Sequence, residues 1–322
     1  MSLPLSLQQA IDILLSSNRL SQLNQARQEL TTRYREKQSH AQFMVTDEQR
    51  YSYIATRFPA TYAAIKAILK AIEERAPHLT LETALDLGSG PGTALWALNQ
   101  QFPAMQSYTL IEQDETLINL GQKLIKLSQV NFPVIHWQQA KIEQMDSFFP
   151  HDLVICSYAI GELNQQMILP LVDKAWQATQ QLLVIVEPGT PVGFERIRAI
   201  RAHLIQSGAY LVAPCPHQLA CPMTGGDWCH FAARVQRSST HRQLKGGSLG
   251  YEDEKFSYVV ASKSPYSLPE SRVLRHPIHH SGHVQLKLCT SEGVKEPIIS
   301  RKMGKLYKQM KHIEWGSPFP PS

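Results

Sequence analysis

The chain has 322 residues, of which 43% are hydrophobic and 18% are charged. This composition is that of an ordinary globular protein with one large domain or slightly more. No run of eighteen apolar residues occurs and the first fifteen residues carry no targeting pattern, so we expect no membrane association and a cytoplasmic protein.

The net charge of +5 is unevenly distributed along the chain. Residues 234–322 hold 15 Lys or Arg and 7 Asp or Glu, a net of +8, so the rest of the chain is slightly acidic. A basic C-terminal third predicts a polyanionic partner, nucleic acid above all, with a solvated basic tail as the alternative. The sequence gives no indication of the oligomeric state.

Residues 1–80 have the apolar spacing of helices, over 7–15, 20–37 and 46–76. Pro59 divides the last of these, because proline suits the first turn of a new helix.

From residue 83 short apolar runs alternate with helical segments, which predicts βαβ units and a doubly wound, mostly parallel sheet. The predicted strands are 83–87, 108–112, 134–137, 152–156 and 182–186, and the predicted helices are 93–101, 115–128, 142–146, 167–178 and 194–207. Residues 212–231 are too rich in Cys, Pro and Gly for a regular element. Further strands are predicted at 256–261, 272–275, 283–288 and 298–300, and a basic helix at 301–313.

The junction of the first strand and helix reads Ala84-Leu85-Asp86-Leu87-Gly88-Ser89-Gly90-Pro91-Gly92-Thr93. Its Gly-x-Gly-x-Gly spacing differs from the dinucleotide-binding Gly-x-Gly-x-x-Gly and disfavours a nicotinamide cofactor. It resembles the first motif of class I S-adenosylmethionine-dependent methyltransferases. We therefore predict a loop that binds this cofactor through Gly88, Ser89, Gly90 and Gly92.

Two acidic residues flank this loop in the predicted sheet. Glu112 ends the second strand, where a carboxylate can accept two hydrogen bonds from a ribose diol. Asp86 either contacts the amino acid part of the cofactor or holds the loop by local hydrogen bonds. The adenine side is less regular, because Gln139-Ala140-Lys141 stands where such enzymes often carry an acid.

The end of the fourth strand should face the transferred methyl group. Cys156 is either a nucleophile or, in its apolar setting, a core residue. Ser157, Tyr158, Glu162 and Glu187 also lie near this edge, but none has the spacing of an acid–base pair, so the sequence names no catalytic residue.

Three cysteines cluster in the irregular segment: Cys215, Cys221 and Cys229. Thiolates favour zinc or an iron–sulfur cluster, and paired Cys-x-x-Cys zinc knuckles are absent. Cys289 is the preferred fourth ligand, with His217 and His230 as alternatives, so zinc with mixed ligands stays open. Unligated core cysteines are the remaining interpretation.

A set of specific motifs runs through most of the chain. They are Arg57-x-Pro59-Ala60-Thr61-Tyr62, Gly161-Glu162-Leu163, Glu187-Pro188-Gly189-Thr190, Pro214-Cys215-Pro216-His217, Cys221-Pro222-Met223, Gly226-Asp227-Trp228-Cys229-His230-Phe231 and the segment 251–258. Together with the glycine loop they resemble the methyltransferase-like assembly factor of the mitochondrial small ribosomal subunit and its bacterial relatives.

The resemblance implies a seven-stranded methyltransferase fold, association with the small ribosomal subunit or its precursor through rRNA, and a [4Fe–4S] cluster on four cysteines. The matching cysteines here are Cys215, Cys221, Cys229 and Cys289. Basic residues after the cysteine segment would then face phosphates. They are Arg234, Arg237, His241, Arg242 and Lys245, with a second stripe at Lys302, Lys305, Lys308 and Lys311.

These observations predict four segments. They are a helical region (1–80), a Rossmann-like S-adenosylmethionine-binding core (81–210), a Cys-rich metal-binding and basic insertion (211–255), and the remaining sheet strands with a basic tail (256–322). The leading hypothesis is an rRNA-binding, methyltransferase-like factor in ribosome assembly. An active rRNA methyltransferase, or a small-molecule or protein methyltransferase with structural zinc, are the alternatives.

Overall fold

Four helices precede the first strand. The computed structural model describes residues 1–16, 19–36, 44–246 and 248–320, so the predicted end of the second helix, Lys37, lies outside the described residues. Pro59 lies in the first turn of the fourth helix, where its missing N–H costs no hydrogen bond. The helices are α1 (Leu5–Leu15), α2 (Leu20–Glu36), α3 (Asp47–Thr56) and α4 (Phe58–Arg75).

A mostly parallel sheet follows, with helices between its strands. The strands are β1 (Thr83–Leu87), β2 (Ser107–Glu112), β3 (Val134–Gln139), β4 (His151–Ser157), β5 (Thr179–Pro188), β6 (Tyr210–Ala213), β7 (Phe231–Gln236) and β8 (Tyr251–Ser262). The helices are α5 (Thr93–Gln101), α6 (Glu115–Ser128), α7 (Gln165–Ala178), α8 (Pro191–Gln206) and α9 (Ser239–Lys245). The segment predicted as a helix at 142–146 is a single 3-10 turn, Ile142–Gln144.

The strand order is β3-β2-β1-β4-β5-β8-β6, with β7 paired to β8. Strands β1 to β5 are parallel, and β8 is antiparallel to β5, β6 and β7. This is the Rossmann-like class I methyltransferase arrangement that the sequence predicts. The sheet has eight strands rather than the seven predicted, because β7 alternates buried Phe231, Ala233 and Val235 with more exposed residues and so pairs as a strand.

Each face of the sheet has its own apolar core. Helices α1, α4, α5 and α6 pack on one face, with residues such as Ile68, Leu95 and Leu124 completely shielded from solvent. Helices α7 and α8 cover the other face through residues such as Leu171 and Ile200. Because both faces are covered, functional groups can reach solvent only at the strand ends and in the loops.

Two small sheets follow β8 and do not join the main sheet. Of the strands predicted in 256–322, the one at 256–261 lies in β8 and belongs to the main sheet, whereas those at 272–275, 283–288 and 298–300 fall in the small sheets. One comprises β9 (Ser271–Val273), β12 (Leu288–Thr290), β13 (Gly293–Lys295) and β15 (Pro318–Phe319). The other comprises β10 (Ile278–His280), β11 (His283–Gln285) and β14 (Ile298–Ser300).

The predicted basic helix over 301–313 is interrupted. Gly304, with φ of +54°, separates a 3-10 turn from α10 (Lys305–Gln309), and a second 3-10 turn follows. The predicted boundary after residue 80 falls between α4 and β1, whereas those after 210 and 255 fall inside β6 and β8. Among the described residues no helix has the length and apolarity needed to span a membrane.

Candidate cofactor cleft and cysteine cavity

The glycine loop between β1 and α5 has a backbone that only glycine adopts easily. Gly88, Gly90 and Gly92 have φ values of +72°, +55° and +77°. A Cβ on Gly88 would lie 2.5 Å from the Cβ of Ala159, beyond the end of β4. The N–H groups of Gly88 and Ser89 both donate to the carbonyl of Ile111. The loop is thus held against the ends of β2 and β4, and we call the region around the loop and these strand ends the cleft.

Glu112 lies at the end of β2, as predicted, and turns its carboxylate toward the loop. One oxygen accepts a hydrogen bond from the Gly90 N–H at 2.8 Å, and the other accepts one from the Asp114 N–H at 2.9 Å. Burial raises the pKa of Glu112, although these two hydrogen bonds by themselves would lower it. Since each carboxylate oxygen has a second lone pair, the group retains capacity for a ribose diol.

Asp86 is buried at 4% exposure between β1, β2 and α5. Among the described residues neither of its carboxylate oxygens has a hydrogen-bond partner, and the same holds for the hydroxyls of Ser89 and Thr93. Burial, followed by the nearby charge of Glu112, raises the pKa of Asp86 to about 8. The side chain is therefore protonated at neutral pH, and the local hydrogen bonds considered from the sequence are not formed.

Orphaned polar atoms around a glycine loop fit a polar ligand, because an unpaired buried polar group is costly. Asp86, Ser89 and Thr93 offer one carboxyl and two hydroxyls between the end of β1 and the start of α5. These groups match a ligand that carries both donors and acceptors, as the amino acid part of S-adenosylmethionine does. The chemistry of the residues present therefore fits this cofactor.

Glu187 closes the far side of the cleft at the end of β5. It is completely buried, and its carboxylate accepts hydrogen bonds from the Gly161 N–H at 3.1 Å and from Arg196 at 3.0 Å. Desolvation raises the pKa of Glu162 to about 8, and the nearby carboxylates of Glu112 and Glu187 add to this rise, although the side chain is exposed to solvent. A carboxyl group that is neutral in part at neutral pH thus lies close to these two carboxylates.

Cys156 faces the α7 side of β4 and is 2% exposed. Burial raises the pKa of its thiol well above the usual range. The geometry therefore matches the core interpretation of Cys156 and gives a nucleophile no access.

Tyr53 and Arg57 of the N-terminal region lie beside the cleft; the sequence named Arg57 only as part of a motif and did not point to Tyr53. Arg57 makes a two-pronged ion pair with Glu254 of β8, at 2.9 and 3.0 Å, and the Tyr158 hydroxyl donates to the same carboxylate at 3.1 Å. The Tyr53 hydroxyl lies 3.9 Å from the position of a Cβ on Gly90. The helical spacing of Tyr53 and Arg57 was the available signal, but the partners are distant in sequence.

The predicted cysteine ligands converge in space. Cys215, Cys221 and Cys229 lie in the loop between β6 and β7, and Cys289 lies on β12. All four line one pocket, which we call the cysteine cavity. Pairing of β12 with β9 places Cys289 there although sixty residues separate it from Cys229.

The thiols of the cysteine cavity influence one another. Burial and the charge of Cys215 raise the pKa of Cys221, and burial with Cys215 and Cys221 raises that of Cys289 to about 12. Burial and the other three thiols raise the pKa of Cys229 well above the usual range. A bound cation would lower these thiol pKa values, since positive charge favours thiolates.

Guanidinium and imidazole groups lie close to the thiols. The Arg201 Nε donates to the Cys215 Sγ at 3.2 Å, and the buried Arg272 has guanidinium nitrogens without partners among the described residues. His217 lies 3.6 Å from the Cys289 Sγ. His230, in contrast, packs between Trp228 and Trp315.

Within the described residues no three His, Cys, Asp or Glu side chains are close enough to bind one metal ion. A tetrahedral zinc site needs all four ligands within about 2.3 Å of the ion, which this arrangement does not provide. A four-iron cluster binds each cysteine through a different iron and so takes thiols that stand further apart. Four thiols facing guanidinium groups in one cavity match the chemistry of such a group.

Four of the five basic residues predicted after the cysteine loop contact acidic side chains of the chain, and the fifth, Arg242, is exposed. Arg237 and Lys245 both pair with Glu252, at 2.8 and 2.7 Å, and His241 is buried against the same carboxylate. Arg234 pairs with Asp253 at 2.9 Å. The hydrogen bonds from His241, Lys245 and Arg237 hold the pKa of Glu252 well below its usual range despite burial.

The model of the family described as "Mitochondrial small ribosomal subunit Rsm22" matches residues 47–320. The human ribosome assembly protein METTL17, mitochondrial, is 24% identical over 301 residues, covering 84% of this chain and 64% of the relative. The Rsm22-cox11 tandem protein 2, mitochondrial, of Schizosaccharomyces pombe is 23% identical over 331 residues, covering 86% of this chain and 44% of the relative. The chain thus spans less than two thirds of either relative.

Solved structures with partial similarity include a putative RNA methyltransferase from Pyrococcus horikoshii, with a TM-score of 0.42, 13% identity and coverage of 62% of this chain and 84% of that one. The N-methyltransferase NodS from Bradyrhizobium japonicum in complex with S-adenosyl-L-homocysteine has a TM-score of 0.43 and 11% identity, with coverage of 75% and 97%.

Proposed function

The chain belongs to the family described as Mitochondrial small ribosomal subunit Rsm22, and from this membership we propose that it is a methyltransferase-like factor that binds the small ribosomal subunit or its precursor during assembly. The observation that carries the proposal is the extent of the family match, residues 47–320. This range contains both the cleft and the cysteine cavity.

We further propose that the cleft binds S-adenosylmethionine. The support is local geometry: three glycines with positive φ, Glu112 at the end of β2, and the unpartnered polar atoms of Asp86, Ser89 and Thr93. The unpartnered side chains of Asp86, Ser89 and Thr93 would orient the methionine part, and the carboxylate of Glu112 would orient the ribose. Glu162, close to the carboxylates of Glu112 and Glu187 and with a raised pKa, is a group that could exchange a proton with a methyl acceptor.

For the cysteine cavity we propose a [4Fe–4S] cluster bound by Cys215, Cys221, Cys229 and Cys289. When bound, such a cluster supplies iron–thiolate bonds that tie the loop after β6 to β12. The residues of the chain prepare the site without it. Arg201 fixes the loop by donating to the carbonyls of His217 and Leu219, and it compensates the negative charge of ionised thiols.

The experiment uses anaerobically purified protein and immature small subunits. Sedimentation measures association, calorimetry measures S-adenosylmethionine binding, and a labelled methyl group reports transfer to rRNA. Gly90→Arg places a long side chain where φ is +55°, whereas Gly250→Arg adds the same charge in open space and is the matched control.

We expect wild type and Gly250→Arg to bind both subunits and cofactor, and Gly90→Arg to lose cofactor binding. Label in rRNA that disappears only with Gly90→Arg would establish an active rRNA methyltransferase. Binding without label would establish an assembly factor that uses the fold as a platform. A protein that does not sediment with subunits or precursors contradicts the proposal, and transfer to a small molecule or protein would replace it.

A further inference from the structure

The C-terminal small sheets carry a group of cations that the rest of the chain leaves unpaired. Between Glu296 and Glu314 the sequence contains no acidic residue. Arg301, Lys302, Lys305, Lys308 and Lys311 are all exposed, and within the described residues none of them forms an ion pair. This differs from Arg237 and Lys245, which both pair with Glu252.

A small apolar core fixes these cations in place. Met310 and Ile313 are buried against Val284 and Ile299, which belong to the inner face of the β10-β11-β14 sheet. The lysines of α10, Lys305 and Lys308, are three residues apart and project from one side of the helix. Because their backbone is anchored, less ordering entropy is lost when they bind a polyanion.

The outer face of the β10-β11-β14 sheet adds flat and apolar groups. His280 and His283 face each other across the hairpin with ring centroids 4.5 Å apart and an angle of 14° between the rings. In the neighbouring row, Ile278 and Ile298 flank Gln285 and are 55% and 56% exposed. An exposed imidazole stack beside aliphatic side chains offers a surface on which unpaired bases can stack.

The α10 segment packs on the inner face of this sheet and the histidine pair lies on the outer face, and Arg301 stands at the end of the strands between the two. Its N–H donates to the carbonyl of Gly282 in the β10–β11 turn at 3.0 Å, and its side chain lies over that glycine. Lys302 follows immediately, and α10 begins three residues later. We call the combined surface the C-terminal basic face. It comprises His280, His283, Arg301, Lys302, Lys305, Lys308 and Lys311.

We propose that the C-terminal basic face is the surface through which this chain binds single-stranded segments of small-subunit rRNA, with the lysines on phosphates and the His280–His283 stack against a base. The proposal rests on the proposed function. Its own support is unpaired positive charge on one side of the small sheet and a stacking surface on the other, with Arg301 between them at the end of the strands. A flexible single strand can pass around this end and contact both, which suits RNA better than a protein partner.

The test measures binding of transcribed small-subunit rRNA to the whole protein at several salt concentrations and at one fixed pH. Lys305→Gln with Lys308→Gln removes two charges from α10. Lys123→Gln with Lys126→Gln makes the same change at the same spacing on the exposed side of α6 and is the matched control. Circular dichroism checks that each variant is folded.

With about 0.7 counterion released per phosphate contact, the α10 variant should lower the magnitude of the salt slope by about 1.4 and weaken binding about 20-fold at 0.1 M salt. The α6 variant should change neither. His280→Ala with His283→Ala should weaken binding about fivefold or more and leave the slope unchanged.

The outcomes separate this inference from the proposed function. If the wild type does not bind rRNA at all, the rRNA-binding role itself fails. If the wild type binds and the α10 variant binds with the same slope and affinity, or the α6 variant weakens binding equally, the C-terminal basic face is not the RNA surface.

Discussion

Replacing Asp86 by Asn should stabilise the protein. Asp86 is 4% exposed, and among the described residues neither carboxylate oxygen has a partner. Its pKa is raised to about 8, chiefly by burial and then by Glu112. The folded protein therefore keeps a proton on this group at neutral pH, whereas the unfolded chain releases it.

The size of the effect follows from the two pKa values. Between the ordinary pKa of 3.8 and the folded value of about 8, the folded state binds more protons, so stability falls as the pH rises through this window. At pH 7 the cost is about 4 kcal/mol, and at pH 5 about 2 kcal/mol. Asn carries no proton to lose, so Asp86→Asn should recover most of this free energy.

Urea unfolding at pH 5 and pH 7 measures the change. Asp152→Asn is the matched control, because hydrogen bonds from Gln181, Glu82 and Thr83 outweigh burial and hold the pKa of Asp152 below its usual range. That variant should lose stability, and more of it at pH 7 than at acidic pH. A loss of stability in Asp86→Asn, or a gain that is equal at both pH values, would refute the assignment of a neutral buried Asp86.

Three other substitutions test the remaining geometry. Cys289→Ser should lower the iron content and visible absorption of anaerobically prepared protein, whereas Cys156→Ser, in the core, should not; full iron retention in Cys289→Ser would argue against its role as a ligand. Arg57→Gln removes both hydrogen bonds to Glu254 and should lower the free energy of unfolding in urea by about 2–3 kcal/mol. A double variant that also carries Glu254→Gln should recover part of this loss. Additive losses would show that the pair is not coupled. Gly88→Ala should abolish cofactor binding in calorimetry, because its Cβ would lie 2.5 Å from Ala159 and φ is +72°; wild-type affinity would mean that the loop adopts another conformation in the binding-competent state.

The local signals of the sequence predicted much of the sheet core. Helices α5 and α6 have the bounds that the periodicity predicts, and Pro59 divides two helices as expected. Strands β6 and β7 were missed because they are short, flank an irregular loop and gain their stability from pairing with β8. Strand formation of this kind depends on long-range partners that the local pattern does not contain.

The site was predicted where residue type alone is informative. Three glycines and Glu112 come together in the cleft, and four cysteines come together in one cavity. What could not be predicted is pairing over distance. Arg57 and Glu254 are 197 residues apart, and the neutralisation of Arg237 by Glu252 depends on how β7 aligns with β8.

The cysteine cavity also imposes an order on events during synthesis. The three loop thiols leave the ribosome after β1 to β6, but β12, which carries Cys289, is synthesised only after β8 has completed the main sheet. The nascent chain can therefore form the cleft while three thiols still stand in an open loop. This interval leaves the thiols accessible from a side that β12 later covers, so a stall between residues 230 and 288 would prolong their exposure to oxidants and, if the proposed cluster forms, to iron donors.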